Sequence, residues 1–268
     1  MGHNYLECIG AQELERLRAQ HAAWLPETHA FLKDAGIFSA QRVVEFGSGP
    51  GLTTLDLAAA NPQSEITAVD ISDYYLNHLR SKVEEERIKQ ITVIKQSAAE
   101  PISVGNFDAA FCRWFLAWVT SEVDVVLANI HRSLRPGGVF AAMEYLTLRS
   151  VVQSPPLPAL QRYLAAWEGF YRQAGGTTEI GTTLVDRLTA AGFKVESIRC
   201  VGGLSRSGER LFQWWRRLFD EFGSKFCDKE LLSFEEWSEI KAYWEQQGSK
   251  PNSFIHSPLI LQITATKR

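Results

Sequence analysis

The stretch Glu45-Phe46-Gly47-Ser48-Gly49-Pro50-Gly51 decides how this chain is read. It closes the run Arg42-Val43-Val44-Glu45-Phe46, which predicts a strand, and opens a helix predicted from Leu52 to about Ala60. Between a strand and a helix, glycines let the backbone turn tightly and come close to a ligand. The spacing is G-x-G-x-G behind an acid, whereas a dinucleotide fingerprint needs G-x-G-x-x-G. A phosphate-cradling Walker loop needs Gly-Lys-Ser/Thr; Leu52-Thr53 follows Gly51, so that loop is excluded.

Working outward, strands are predicted at 66–70, 91–95, 107–112 and 139–146. Helices are predicted at 72–87 and 122–134, and Arg135-Pro136-Gly137-Gly138 reads as a turn. Strand–helix alternation of this kind marks a parallel, doubly wound sheet. Upstream, residues 11–35 read as helix, with Leu14, Leu17, His21, Trp24 and Leu25 near one face. Pro26 divides it, leaving a second helix over 27–34. Downstream the alternation lapses after Leu146. Helices are predicted at 160–172 and 182–191, a helical stretch over 209–247, and strands at 193–201 and 259–266. The expected organisation is one domain over 1–268. A helical cap covers 1–38, a ligand-binding core 39–146, and helical insertions 147–180 and 205–250.

The chain has 268 residues, 45% of them hydrophobic and 22% charged, with a net charge of −3. Those values describe a globular α/β protein and exclude wholesale disorder. The slightly acidic balance argues against a broad grip on a nucleic-acid backbone. Cys8, Cys112, Cys200 and Cys227 form no C-x-x-C pair and no zinc-spaced cluster with histidine, so no metal site is expected. No apolar run approaches the ~20 residues that span a bilayer, and no basic-then-apolar leader is seen. The expectation is a cytoplasmic monomer or homodimer with no nucleic-acid partner and no membrane span.

Asp70 ends the strand that follows the glycine loop. A carboxylate there accepts two hydrogen bonds from a ribose diol, or it caps the next helix, a role Ser72 can also fill. With Val43 to Gly51, then Ala68-Val69-Asp70, Phe107-Asp108 and Leu134-Arg135-Pro136-Gly137-Gly138 in order, the chain resembles the class I S-adenosylmethionine-dependent methyltransferases. It is most similar to the small-molecule branch that includes ubiquinone and menaquinone methyltransferases. The resemblance implies a Rossmann-like α/β fold with a mostly parallel seven-stranded sheet, an antiparallel last strand and helical insertions forming a substrate lid. It implies S-adenosylmethionine as cofactor, leaving as S-adenosylhomocysteine. Gly47, Ser48, Gly49 and Gly51 would then shape the loop facing the methionine part. Glu45 would lie near the ammonium or hold the loop. Asp70 would take the ribose hydroxyls and Ile71 would flank the adenine. Ser97 and Ala98 stand where the family often has an acid followed by alanine, so Ser97 departs from that pattern. Cys112 and Arg113 would line the floor beside the sulfonium. Residues 13–20 resemble the helix that closes over the cofactor, with Gln20 as a carboxylate contact and Tyr5 as a lid residue.

Methyl transfer needs alignment and exclusion of water more than it needs a base. The candidate catalytic residues are Glu144, at the carboxyl edge of a strand, and His21 and His29 in the N-terminal cap. Eight tryptophans favour an apolar or aromatic small-molecule acceptor. Trp114, Trp118, Tyr145, Trp167, Tyr171 and Trp214 are its expected contacts. The function expected is methyl transfer to an oxygen, nitrogen or carbon of a small, largely apolar or aromatic metabolite. The alternatives are another reaction on the same fold, such as a cyclisation, or a non-catalytic binding protein.

Overall fold

A computed structural model describes residues 10–157, 159–247 and 250–268; Tyr5 lies outside them. The glycine stretch follows strand β1 (Arg42–Phe46), whose last four residues are all buried. A strand buried along its whole length belongs at the centre of a parallel sheet with both faces covered. β1 pairs in parallel with β2 (Glu65–Asp70) on one side and β4 (Phe107–Arg113) on the other. β3 (Ile91–Lys95), β5 (Leu134–Thr147), β7 (Phe193–Val201) and β10 (Leu259–Lys267) complete a seven-stranded sheet, ordered β3-β2-β1-β4-β5-β10-β7. β10 runs antiparallel to both β5 and β7. Between β1 and β4 the strand order reverses, which opens a crevice at their carboxyl ends. Helices α2 (Leu52–Ala60), α3 (Asp73–Glu85), α4 (Val123–Ser133) and α6 (Gly181–Ala190) connect the strands.

The predicted break at Pro26 does not occur: α1 is one helix, Ala11–Asp34. Proline removes the N–H that would reach the Ala22 carbonyl. Side chains serve the carbonyls around it: Arg210 donates to Ala23, Thr28 Oγ1 to Trp24 at 2.8 Å, and Gln262 to Glu27 at 3.1 Å. The buried face also differs from the predicted one. Glu13, Arg16, Gln20, Ala23, Trp24 and Thr28 are inward, whereas Leu14, Leu17, His21 and Leu25 are only half-buried. Arg135 to Gly138 lies inside the span of β5 as a bulge, with Phe107 opposite Leu134 and Ala109 opposite Val139.

The predicted helical stretch over 209–247 consists of two helices, α7 (Arg210–Asp228) and α8 (Phe234–Gln247). α7 buries Trp214, Trp215, Phe219, Phe222 and Phe226 on one face. Phe219 stacks between Tyr163 of α5 (Leu160–Gln173), at 4.1 Å, and Trp244, at 4.7 Å. Side chains of this kind contribute roughly 1.5–3 kcal/mol each on full burial. A small sheet of β6 (Val152–Ser154), β9 (Phe254–His256) and β8 (Leu204–Arg206) ties these segments together. Its three-residue strands are too short to leave a periodic signal in the sequence.

Gly223 lets the Trp237 ring lie against α7, since a Cβ there would stand 2.3 Å from the indole. Gly223→Ala should cost about 1–3 kcal/mol by overpacking and lower the thermal midpoint by several degrees. An unchanged calorimetric midpoint would show that α7 and α8 are not closely packed.

Candidate active site

A cleft of about 1550 Å³, counting its open mouth, lies at the carboxyl ends of β1, β2 and β4. One end is built by the glycine loop and Asp70, the other by aromatic rings from α5, α7 and the segment after β4. The Gly47 and Ser48 N–H groups both donate to the Val69 carbonyl, at 2.9 and 3.1 Å, which folds the loop onto the end of β2. Gly47 has φ +66°, and a Cβ there would stand 2.3 Å from the Phe115 ring. At Gly49 (φ +53°) the place of a side chain is open space. Asp70 Oδ2 accepts the Gly49 N–H at 2.8 Å and Oδ1 accepts the Ser72 N–H at 2.9 Å. Ser72 itself caps α3. Each oxygen of Asp70 keeps a further accepting site. Burial pushes its carboxyl above the usual range, against the pull of the Ser72, Gly49 and Ile71 N–H groups. Ile71, Ser97 and Ala98 line the same end, and Ser97 Oγ accepts the Ala99 N–H at 3.2 Å.

Beneath the loop lies a polar cluster. Thr54 Oγ1 donates to Glu45 Oε2 at 2.5 Å, and burial pushes the Glu45 carboxyl up to about 7. Arg113 donates to Thr28 Oγ1 at 2.8 Å and to His21 Nδ1 at 3.0 Å. Desolvation lowers its guanidinium to about 10, while Glu45 and Asp56 pull the other way. Arginine can only donate, so His21 Nδ1 accepts and its hydrogen sits on Nε2, 3.2 Å from Asp56 Oδ2. His29 Nε2 is 2.8 Å from the same oxygen. Burial raises the Asp56 carboxyl, but the two histidines outweigh it and hold it low.

Several expected site residues stand outside the cleft. His21 and His29 clamp α1 to α2 through Asp56 and do not line it. Glu144 is fully buried, and its Oε1 accepts the Phe115 and Leu116 N–H groups, each at 2.8 Å. It therefore pins the segment after β4 and is not a base; burial pushes it up to about 7, against those N–H groups. Cys112 is buried between its neighbours and its thiol is pushed well up by desolvation, whereas Arg113 next to it reaches the cleft. Gly51 (φ +77°) packs on Leu79 and turns the chain into α2. Trp214 lies behind Gln20, donating to its Oε1 at 3.4 Å.

Gln20, Glu45 and Arg113 do line the cleft, as do Trp114, Trp118, Tyr145, Trp167 and Tyr171. Trp118 stacks on Tyr171 at 4.0 Å, and Trp167 packs on Phe222 at 4.3 Å. Burial pushes the Tyr145 hydroxyl up to about 12. The sequence reading missed Glu13, Arg16 and Phe222. Arg16 donates to both oxygens of Glu13, at 2.8 and 2.6 Å, and to Gln20 Oε1 at 2.9 Å; its guanidinium lies 5.7 Å from the Phe222 ring centre. The i, i+3, i+7 spacing of Glu13, Arg16 and Gln20 was the available signal, masked by the expectation that leucines mark the buried face.

Residues 44–142 match the family model of the methyltransferase domain. A demethylmenaquinone methyltransferase of Lactococcus lactis is 28% identical over 155 residues, covering 57% of this chain and 56% of that protein. A ribosomal RNA small subunit methyltransferase G of Aliivibrio fischeri is 29% identical over 106 residues, covering 40% and 49%. The crystal structure of the [4+2]-cyclase SpnF shares the fold, with a TM-score of 0.54 at 20% identity over 84% of this chain and 75% of that one. The chain spans about half the length of the curated relatives it matches. Sheet order, glycine loop and terminal acid together define a nucleoside-binding α/β fold of the methyltransferase kind. Residues 44–142 carry a methyltransferase domain, and over that stretch the chain is similar to S-adenosylmethionine-dependent methyltransferases.

Glu144 titrates higher folded, at about 7, than unfolded, near 4.5. The folded state thus binds more protons between those values, and its stability falls as pH rises through them, by roughly 3 kcal/mol for this group. Glu144→Gln keeps the accepting oxygen and should flatten the thermal midpoint between about pH 5 and 7. A variant as steep as the parent would refute this.

Proposed function

We propose that the protein is an active methyltransferase whose acceptor is a small, largely apolar or aromatic molecule methylated on oxygen, nitrogen or carbon. The observation that carries this is the two-ended cleft, with hydrogen-bonding groups suited to a nucleoside at one end and aromatic rings at the other. The residues present fit S-adenosylmethionine. Open space stands at Gly49, Asp70 has accepting sites to spare, and the Ser48 hydroxyl is buried without a partner among the described residues. When bound, the cofactor supplies an activated methyl group. Asp70 would take the ribose hydroxyls, and Ile71, Ser97 and Ala98 would surround the adenine. Glu45 would meet the ammonium and Gln20 the carboxylate. Gln20 spends its oxygen on Arg16 and Trp214, so its amide N–H groups are the donors for a carboxylate.

The chain's part in the reaction is alignment. α1, α5 and α7 (within the stretches 1–38, 147–180 and 205–250) would act as a lid that excludes water, and the rings of Trp114, Trp118, Tyr145, Trp167 and Tyr171 would fix the plane of the acceptor. Orientation of this kind supplies about 7–11 kcal/mol in favourable model systems. The net charge of −3 supports a small molecule over a nucleic acid. A cyclisation on this fold would leave the product mass unchanged, whereas methylation adds one methylene.

Calorimetric titration with S-adenosylhomocysteine tests the reading. Asp70→Ala should weaken binding by about 10- to 100-fold, the worth of hydrogen bonds to a charged group. Undetectable binding to the parent protein would sink the proposal. Glu45 must ionise to meet an ammonium, so affinity should climb with pH, at most about tenfold per unit, and level off above about 7. A flat profile would remove Glu45 from the site.

A further inference from the structure

We propose that Glu13 receives the proton of the methyl acceptor, and that this acceptor is a hydroxyarene. The proposal rests on the methyl-transfer reading above. Among the described residues four carboxylates line the cleft: Glu13, Glu45, Asp70 and Glu122. Glu45 and Asp70 belong to the loop end, and Glu122 is exposed at the rim. Glu13 is 6% exposed and is bound through both oxygens by Arg16. Arg16 lies over Phe222, the ring against which Trp167 packs. Glu13 is thus the carboxylate of the aromatic end.

An ion pair buried among aromatic rings carries a desolvation penalty of several kcal/mol per ion. A hydrocarbon acceptor would add to that burial and return nothing. An acceptor bearing O–H or N–H donates to Glu13, whose carboxylate oxygens each accept a second hydrogen bond beside the one from Arg16. Arg16 decides between the two. An amine gains positive charge on methylation, which a neighbouring guanidinium opposes. A hydroxyl becomes negative as it loses its proton, which the guanidinium favours. In the step, the hydroxyl proton passes to a Glu13 oxygen. The oxygen's electron pair forms the new bond to the methyl carbon as the carbon–sulfur bond breaks, its electrons staying on sulfur. Glu13 then returns the proton to solvent when the lid opens.

The full chain with S-adenosylhomocysteine, probed with 4-nitrophenol, nitrobenzene and 4-nitroaniline, tests this. Quenching of tryptophan fluorescence gives affinity, and the visible phenolate band reports where the proton is. 4-Nitrophenol and 4-nitroaniline should both bind about tenfold more tightly than nitrobenzene, the worth of one hydrogen bond to a charged group, with 4-nitrophenol, whose O–H is the more acidic donor, the tightest. Glu13→Gln should abolish that order while leaving S-adenosylhomocysteine affinity within about twofold. It also leaves Arg16 alone beside the hydroxyl, so bound 4-nitrophenol should show its phenolate band at a lower pH in the variant than in the parent. Glu13→Asp, which keeps the charge beside Arg16, should restore part of both parent properties if Glu13→Gln folds poorly. Equal affinity for the three probes, or a phenolate band unmoved by Glu13→Gln, overturns the proposal. Failure of the parent chain to bind S-adenosylhomocysteine overturns the underlying reading instead.

Discussion

The carboxylate of Asp70 is the tie on which the nucleoside end depends. One oxygen holds the Gly49 N–H and the other holds the Ser72 N–H, so a single side chain fixes both the glycine loop and the start of α3. The loop in turn rests on the Val69 carbonyl, one residue earlier on the same strand. Both attachments lie where β1 and β2 end, next to the reversal of strand order. Backbone N–H groups and a buried acid are thereby presented together at the mouth of the sheet, and neither would hold its place without the other.

A second theme is the number of ionisable groups kept from water. Glu45, Glu144, Glu13, Arg16 and Asp70 are all buried, and each has named hydrogen-bond partners. Buried charge is costly unless it is paired. One of these groups, Glu144, is a structural latch. Glu144 holds the segment that carries Trp114, Phe115 and Trp118, so the aromatic end owes its shape to an acid that never touches the cleft. His21, by accepting from Arg113, sets the direction of a guanidinium that does reach it.

The fold was largely legible because central parallel strands and glycine turns leave strong local signals. β1, β3, β7 and α2 stand where the residue pattern puts them. The loop end was legible for the same reason: Gly47, Gly49 and Asp70 are tied to fixed positions on the sheet. What could not be read came from distant partners. Pro26 breaks an isolated helix, but Arg210, from the far part of the chain, serves a neighbouring carbonyl. Glu144 and Trp214 look like site residues by position and are turned away by packing. Glu13 and Arg16 look like solvated charges and are turned inward, where Phe222 of α7 covers Arg16 and Arg16 holds Glu13.

The continuity of α1 has a mechanical meaning. The helix is a single rod from Ala11 to Asp34, tied to α2 by His21 and His29 and to α7 by Arg210 bound to Glu27. Its amino-terminal end, with Glu13 and Arg16, projects beyond those ties like the short arm of a lever. Trp214 and Phe222 of α7 rest against that arm through Gln20 and Arg16, so the arm and α7 are packed as one wall of the cleft. The two ends of the cleft are therefore bounded by one rod and by the helix packed against it.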